Sequence, residues 1–410
     1  MIALDPTKVL ILVGGLILVV EMTAVVLAFP LVGLWMLMGA SVINTLDAQA
    51  RLSINSIQVS PIDVACTVLA LTTIAQALRR SRWPSRWVLA LLALALVALV
   101  RGIAAFGVQP AVNGSRLLAY FLVTLAFVET IERHDIYQQI VRIWGAAAAF
   151  FGLLAIIFVA RHGFGRASGA RALNSQLALA VAQFGVLSLT SHKRRSRSMA
   201  IACILLVVTS QQRTVWLASI TSVAILVLRS SRTDDTERAQ RLRRIVLLAA
   251  FAGVLLLTVG PASLRASVGQ ASDVSTKSGT LGWRVISGVE LFQETARKPL
   301  WDQVVGQPFG AGFQRTISGQ TATASPHNMY LAVLLSLGWF GFIALAVICI
   351  RAIKITQRDP AMWPNALLWG LVVYGLGYQW DPAQAMLWAA PLTVLAVGRT
   401  PAESAVVIRS

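Results

Sequence analysis

The sequence predicts an all-α polytopic membrane protein with about 12 transmembrane helices and one large outward-facing loop that contains short amphipathic helices. Of its 410 residues, 57% are hydrophobic and only 13% are charged, and the mean hydropathy is +0.71. A soluble domain carries about 25% charged residues, whereas a membrane helix needs about 20 apolar residues. This composition excludes an ordinary soluble globule, a disordered chain and a fibrous protein.

Thirteen apolar segments follow one another without an internal repeat, so we expect one helical bundle over residues 1–410. They run over 9–29, 31–46, 60–78, 87–105, 114–131, 140–160, 173–190, 199–210, 213–228, 245–260, 328–350, 362–380 and 383–398. The first two leave an alternative open. They make two full crossings, or one crossing plus a half-inserted piece that is broken at Pro30. We expect the second arrangement, with a cytoplasmic N-terminus.

Four connections are densely basic, and alternation of the helices from segment 60–78 onward puts all of them on one side. They are 79–86, 193–197, 229–244 and 351–358. The positive-inside rule assigns that side to the cytoplasm. Residues 261–326 then form a long loop on the outer side, and a loop of this length in a compact protein is usually functional.

The outer loop contains one helical pattern and one turn-rich stretch. Val285, Val289, Phe292 and Ala296 repeat at the spacing i, i+4, i+7 and i+11, which predicts an amphipathic helix over 282–298. The glycines of the following stretch, 306–312, are typical of turns.

The net charge of +18, from 35 Lys and Arg against 17 Asp and Glu, exceeds what orientation requires. The four basic connections hold 17 of the basic residues, but 13 fall on the outer side. Nucleic acid is not available there, whereas phosphate-bearing lipids and sugars are, and the planar fork of Arg binds two phosphate oxygens at once. Four arginines lie at the membrane edge within apolar sequence: Arg101, Arg116, Arg161 and Arg213. Each alone could extend to lipid headgroups, but together they favour a shared anionic ligand.

Two short stretches carry candidate chemistry. Arg213 lies at a tight outer hairpin at the start of a helix, where a cation opposes the helix dipole, so we expect it to bind an anion. It could instead be a polar hairpin residue. His327 stands where the outer loop enters a helix, and its side chain suits proton transfer near neutral pH, although a solvated or structural His is the alternative. Gly338 and Gly341 lie about three turns further and allow close helix approach.

The rest of the sequence contains no HExxH motif, no phosphate loop and no paired carboxylates at useful spacing. We therefore expect neither a metal site nor a cofactor.

With these motifs the sequence resembles the O-antigen ligase family of membrane glycosyltransferases. The match rests on His327-Asn328, nine residues, then Gly338 and Gly341. Arg213 matches the family's arginine after a short helix, and Arg284 matches the arginine that opens the amphipathic helix of the large periplasmic loop. The sequence departs from the family at Gly288, where a Leu is frequent, and at Gln211-Gln212, where Ser usually precedes the arginine. The resemblance covers roughly 199–350 by motif and the whole chain by topology.

The resemblance implies an enzyme of the Gram-negative inner membrane that is active at the periplasmic face. The donor would be O-antigen on undecaprenyl pyrophosphate, and the acceptor would be a sugar hydroxyl of lipid A-core. Arg213 and Arg284 would bind the pyrophosphate, and His327 would deprotonate or orient the acceptor hydroxyl, without a metal ion. Membrane lipids would be further partners, and nucleic acid would not. Other substrate-binding candidates are Arg116, Arg161, Arg166, Arg171 and Asn328.

Alternatives remain within and outside this class. A related polymerase would join O-antigen units to each other, and a related ligase would move glycan to a protein. A transporter or flippase for a lipid-linked sugar would be expected to show an inverted repeat or paired broken helices. The sequence shows neither, and a large one-sided loop favours chemistry on one side.

Overall fold

A computed structural model shows a predominantly α-helical chain. The structure describes residues 6–46, 52–54, 57–131, 135–162, 173–190, 194–209, 212–230, 280–317, 320–322, 326–359 and 362–396. The predicted segment 245–260 and most of the first third of the 261–326 loop lie outside these residues.

The first half of the described chain contains nine helices and one short hairpin. The helices are α1 (Pro6–Ala28), α2 (Pro30–Leu46), α3 (Pro61–Arg80), α4 (Arg86–Phe106), α5 (Val108–Thr130), α6 (Ile136–His162), α7 (Ser175–Leu189), α8 (Arg194–Thr209) and α9 (Arg213–Ser230). Strands β1 (Leu52–Ile54) and β2 (Ile57–Val59) pair antiparallel between α2 and α3, with Leu52 opposite Val59.

The second half contains the described part of the 261–326 loop and three further helices. In the loop, α10 (Thr280–Ala296) confirms the predicted amphipathic helix, and α11 (Leu300–Val305) follows it. Strands β3 (Arg315–Ile317) and β4 (Gln320–Ala322) form a second antiparallel hairpin. The last helices are α12 (Met329–Gln357), α13 (Trp363–Gly375) and α14 (Pro382–Ala396).

Six helices of the described chain are long and apolar enough to cross a membrane. They are α3, α4, α5, α6, α9 and α12. Four shorter apolar helices accompany them, within α1, α2, α7 and α8. Helices with apolar surface all round are typical of a lipid environment, so the chain is a helical protein embedded in a membrane.

Polar contacts bring three of the four basic connections to one end of the bundle. At the start of α4, the backbone and hydroxyl of Ser85 donate to the carboxylate of Glu129, which ends α5, and Arg351 of α12 acts electrostatically on that carboxylate. Arg229, at the end of α9, donates to the carbonyls of Thr356 (3.0 Å) and Gln357 (2.5 Å) at the end of α12. Cations are favourable at helix C-termini. The start of α12 and the outer loop therefore lie at the opposite end.

The outer loop inserts a short segment among α4, α5 and α12. The backbone of Phe309 donates to the carbonyl of Ala98 in α4 (3.0 Å), and the backbone of Gln307 donates to the carbonyl of Leu335 in α12 (2.9 Å). Arg101 holds the segment from the side, since it pairs with Asp302 and donates to the carbonyl of Gly306 (2.7 Å). Backbone hydrogen bonds thus fix this loop against the helices.

Gly338 makes the insertion possible. It has φ +67° and interrupts α12. Because of this break, the carbonyl of Leu335 in the preceding turn accepts a hydrogen bond from the backbone of Gln307. A Cβ at Gly338 would collide with the carbonyl oxygen of Val304. The glycine therefore admits the end of α11 against α12, which is the close helix approach expected for Gly338, whereas a Cβ at Gly341 would meet the Leu337 side chain of α12 itself.

Candidate functional site

The connection between α13 and α14 organises the candidate site, and it begins earlier than the sequence predicted. The apolar segment 362–380 was expected to be one span, but α13 ends at Gly375 and residues 376–381 form a loop. The loop is held at both sides, because the indole of Trp380 donates to the carbonyl of Leu371 (2.9 Å) and Asp381 accepts from the backbone of Ala383 (2.9 Å). Leu-Gly-Tyr-Gln-Trp is too apolar for a hydropathy pattern to reveal a turn.

His327 is positioned by its two neighbours, which both bind this loop. The amide of Gln379 donates to the carbonyl of Pro326 (3.0 Å). Asn328 caps α12 by accepting from the backbone of Leu331 (2.9 Å), and it donates to the carbonyl of Leu376 (3.2 Å). An Asn cap satisfies a backbone donor that the helix leaves open. The exposed His327 is therefore presented from a fixed backbone.

Arg284 reaches the same loop from α10. Its Nη1 donates to the carbonyl of Gly377 (3.1 Å), and its Nη2 lies 3.2 Å from the hydroxyl of Tyr378. The guanidinium carbon lies 4.7 Å from the centre of the Tyr378 ring, and the ring of His327 lies 6.0 Å from it on an edge-on approach. Tyr378 thus joins the predicted cation and the predicted base.

Arg315 is a second cation near His327, and the sequence did not assign it to the site. It is buried at the start of β3, where its Nε donates to the hydroxyl of Ser287 in α10 and its Nη1 donates to the carbonyl of Phe313 (2.8 Å). Burial lowers the pKa of Arg315, and the nearby Glu290 opposes that effect. Through its hydrogen bond to Ser287, Arg315 connects the β3–β4 hairpin to α10 and to the candidate site.

The electrostatic surroundings keep His327 neutral near pH 7. Partial burial lowers the pKa of its imidazole below the usual 6.5, and the positive charges of Arg284 and Arg315 lower it further. A neutral imidazole can accept a proton, and the cations that keep it neutral can bind an anion. The arrangement therefore suits a reaction in which a hydroxyl loses its proton beside a phosphate group.

Arg213 begins α9 close to this loop. A Cβ at Gly377 would come within 2.8 Å of the side chain of Thr214, so the first turn of α9 packs against the residue that Arg284 binds. Arg213 itself is exposed, and the amide of the preceding Gln212 donates to the carbonyl of Leu173 (3.2 Å). The three residues proposed for chemistry, Arg213, Arg284 and His327, are thus arranged around one loop.

The remaining predicted binding residues are placed differently. Arg116 forms an ion pair with Asp63 (3.2 Å) and donates to the carbonyl of Gln58 in β2, so a carboxylate already balances its charge. Arg161 is exposed near the end of α6. Arg166 and Arg171 lie outside the described residues.

Within the described ranges, no group of three or more His, Cys, Asp or Glu side chains could hold a metal ion. The side chains that surround His327 are two arginines, a tyrosine and two amides, which are suited to an anion rather than to a cation. A comparison of the chain with protein-family models finds no match, and a search of curated proteins finds no relative.

Proposed function

We propose that the chain is a glycosyltransferase of the O-antigen ligase type. It would transfer O-antigen from undecaprenyl pyrophosphate to a sugar hydroxyl of lipid A-core, without a metal ion. We further propose that it crosses the inner membrane about 12 times and that the 261–326 loop and the site face the periplasm. The end opposite to the basic connections, which carries His327, would then be periplasmic by the positive-inside rule.

The observation that carries this proposal is the contact of Arg284 and His327 with one residue, Tyr378. The two groups come from separate elements, and the loop between α13 and α14 joins them. A cation and a neutral imidazole that share one neighbour meet the two requirements of the reaction, which are stabilisation of a leaving diphosphate and removal of a proton.

In the proposed reaction the acceptor oxygen attacks the anomeric carbon of the donor sugar. His327 accepts the hydroxyl proton as the new carbon–oxygen bond forms. The bond from the anomeric carbon to the diphosphate breaks, and its electron pair leaves with undecaprenyl pyrophosphate. Arg284, with Arg213 at the start of α9, stabilises the charge that develops on the diphosphate. Donors fixed before the reaction need no reorganisation in the transition state.

The test is transfer in vitro with purified protein, defined lipid-linked donor and lipid A-core, followed on a gel. His327→Ala should abolish transfer while donor binding survives, and His162→Ala, which removes another outer histidine, should keep full activity. Loss of donor binding in His327→Ala would contradict the general-base role. Activity that EDTA removes and magnesium restores would refute the metal-free mechanism.

A second pair of variants tests the arginine. Arg284→Ala should weaken donor binding, and Arg284→Lys should restore it poorly, because Lys lacks the planar fork. The matched control is Arg297→Ala, which removes the same charge from the exposed residue just after α10. An equal loss of donor affinity in Arg284→Ala and Arg297→Ala would show that Arg284 contributes only to the net positive charge of the loop.

The products distinguish this proposal from its alternatives. Chain extension of the donor without lipid A-core would identify a polymerase. Movement of intact lipid-linked donor across the bilayer, without transfer, would identify a flippase.

A further inference from the structure

The amphipathic helix α10 exposes most of the apolar residues of its periodic pattern. Its protein-facing side carries Ser287, Leu291 and Thr295. Val285, Val289 and Phe292 are 57%, 50% and 47% exposed, on the neighbouring side of the helix. An apolar stripe of this size in contact with water is unfavourable, and a rim of polar residues around it indicates a binding surface.

The stripe continues into two other elements. Leu300 and Trp301, at the start of α11, are 75% and 60% exposed. The ring of Phe292 lies edge-on at 6.5 Å from the ring of Trp339 in α12. Trp339 and the following Phe340 are exposed on a helix long enough to cross a membrane. The surface of the loop is thus continuous with the outward apolar side of a membrane helix.

From this continuity we propose that α10 and α11 lie in the outer interface of the membrane, with Val285, Val289, Phe292, Leu300 and Trp301 in lipid. We call these five residues the loop stripe. Helices that lie in the interface combine such a stripe with a polar face, and α10 carries Glu290, Gln293 and Glu294 beside its stripe. Trp301 and Trp339 are the side chains that favour headgroup depth.

Charge at the end of α10 fits the same partner. Arg297 is exposed directly after the helix. Lys298 is a second cation there, and its ammonium donates to Gln307 (2.5 Å) and lies 3.8 Å from Glu294. Lipid phosphates supply the complementary charge at this depth. The stripe would therefore contact acyl chains while the end of α10 contacts headgroups.

One consequence rests on the proposed function. Arg284 lies on the same helix, so interfacial binding would hold it at the depth of a diphosphate whose polyprenyl chain is in the bilayer. Capture of the donor would then occur from the membrane plane.

The depth of α10 can be measured on the full chain in nanodiscs of phosphatidylethanolamine and phosphatidylglycerol. After replacement of the three buried cysteines, a nitroxide label is attached to Val289→Cys, to Phe292→Cys and to the polar control Gln293→Cys. The ratio of oxygen to nickel-chelate accessibility should be at least about fivefold higher at 289 and 292 than at 293, as for an interfacial helix. Ile343→Cys on α12 supplies the lipid reference.

Two outcomes would overturn the proposal. Equal accessibility of all three loop labels to the nickel chelate would place the stripe in water. Immobile labels at 289 and 292, shielded from both reagents, would show that a second copy or another segment of this chain covers it.

A kinetic measurement separates this proposal from the proposed function. Val289→Glu should raise the KM for polyprenyl-linked donor about tenfold, the equivalent of about 1.4 kcal/mol, and leave the KM for a water-soluble short-chain donor unchanged. An equal rise for both donors would contradict membrane capture. If no transfer occurs with any donor, the proposed function fails, but the label depths still decide the position of α10.

Discussion

The imidazole of His327 lies near two guanidinium groups whose positive charges act on it. Arg284 and Arg315 both lower its pKa, after partial burial. Because the folded protein disfavours the charged imidazole, His327 loses its proton at a lower pH than a free histidine would. The transfer rate should therefore hold through pH 6.5 and decline as the pH falls through the lowered pKa.

Arg315 allows this electrostatic role to be tested apart from donor binding. Arg315→Gln should move the pKa of His327 upward, toward 6.5, and the acid limb of the transfer rate should move with it, whereas Arg315→Lys keeps the charge and should change neither. Titration of the labelled imidazole by NMR measures the pKa without activity. A pKa that is the same in all three proteins would remove Arg315 from the electrostatics of the site.

Tyr378 makes two separable contacts with Arg284, one through its ring and one through its hydroxyl. Tyr378→Phe keeps the ring and loses one hydrogen bond to a charged group, which contributes about 1.5–3 kcal/mol when it is made. We expect a donor affinity about tenfold weaker, and a further loss in Tyr378→Ala, where the cation–π contact of about 0.5–1 kcal/mol also disappears. Calorimetric titration with lipid-linked donor measures both steps, and a Tyr378→Phe affinity equal to wild type would limit the hydroxyl to a structural role.

The sequence predicted those candidate-site residues whose type suits phosphate binding or proton transfer, and it did not predict those that the fold brings near them. Arg284 and His327 stand in a motif, and their residue types suit phosphate and proton transfer. Tyr378 lies in an apolar run with no pattern of its own, and it enters the site only because α13 stops at Gly375 and turns back. Arg315 is distinguished by burial beside α10, which spacing along the chain does not encode.

At the scale of elements, the break in α12 is sensitive to substitution. Gly338 has φ +67°, which an L side chain rarely adopts, and a Cβ there meets the backbone of Val304. Gly338→Ala should therefore destabilise the protein by about 3 kcal/mol or more, in the range of strained backbone substitutions. The matched control is Gly39→Ala in α2, where a Cβ meets nothing within 4 Å, and a gain of about 0.5–1 kcal/mol is expected from helix propensity.

Thermal unfolding in detergent, followed by circular dichroism, measures both variants. Because the break also positions the loop between residues 304 and 312, Gly338→Ala should expose its backbone amides to hydrogen exchange. Unchanged stability and exchange in Gly338→Ala would show that α12 accommodates a continuous helix.

Long apolar elements could be predicted from the sequence because burial in lipid requires about 20 apolar residues, whatever their partners are. This rule gives α4 and α6 closely. The same rule does not say whether protein, lipid or water covers an amphipathic stripe. The sequence therefore predicted α10 as a helix, but not that Val285, Val289 and Phe292 are exposed. The hairpins β1–β2 and β3–β4 depend on pairing between three-residue strands, which leave too short a pattern to be predicted.

For the whole molecule, the distribution of charge separates two ends with different chemistry. At one end, Arg229 neutralises the carbonyl end of α12, and Glu129 with Ser85 fixes the α3–α4 connection to α5. At the other end, Arg284, Arg315 and the exposed Arg213 surround the loop at Tyr378. At the first end Arg229 binds carbonyls at the end of a helix, whereas at the second end Arg284 and Arg315 act on a histidine.

The two ends must lie on opposite sides of the membrane if α12 crosses it, and fusions test their assignment. Alkaline phosphatase, which is active only outside the cytoplasm, should be active when it is fused after residue 317 and inactive after residue 359. Green fluorescent protein should show the reverse pattern. The basic connection 351–358 would then be cytoplasmic, as its charge requires, and His327 would face the compartment that holds the donor glycan. Phosphatase activity after residue 359 would reverse the orientation, and the reaction at the periplasmic face would have to be abandoned together with it.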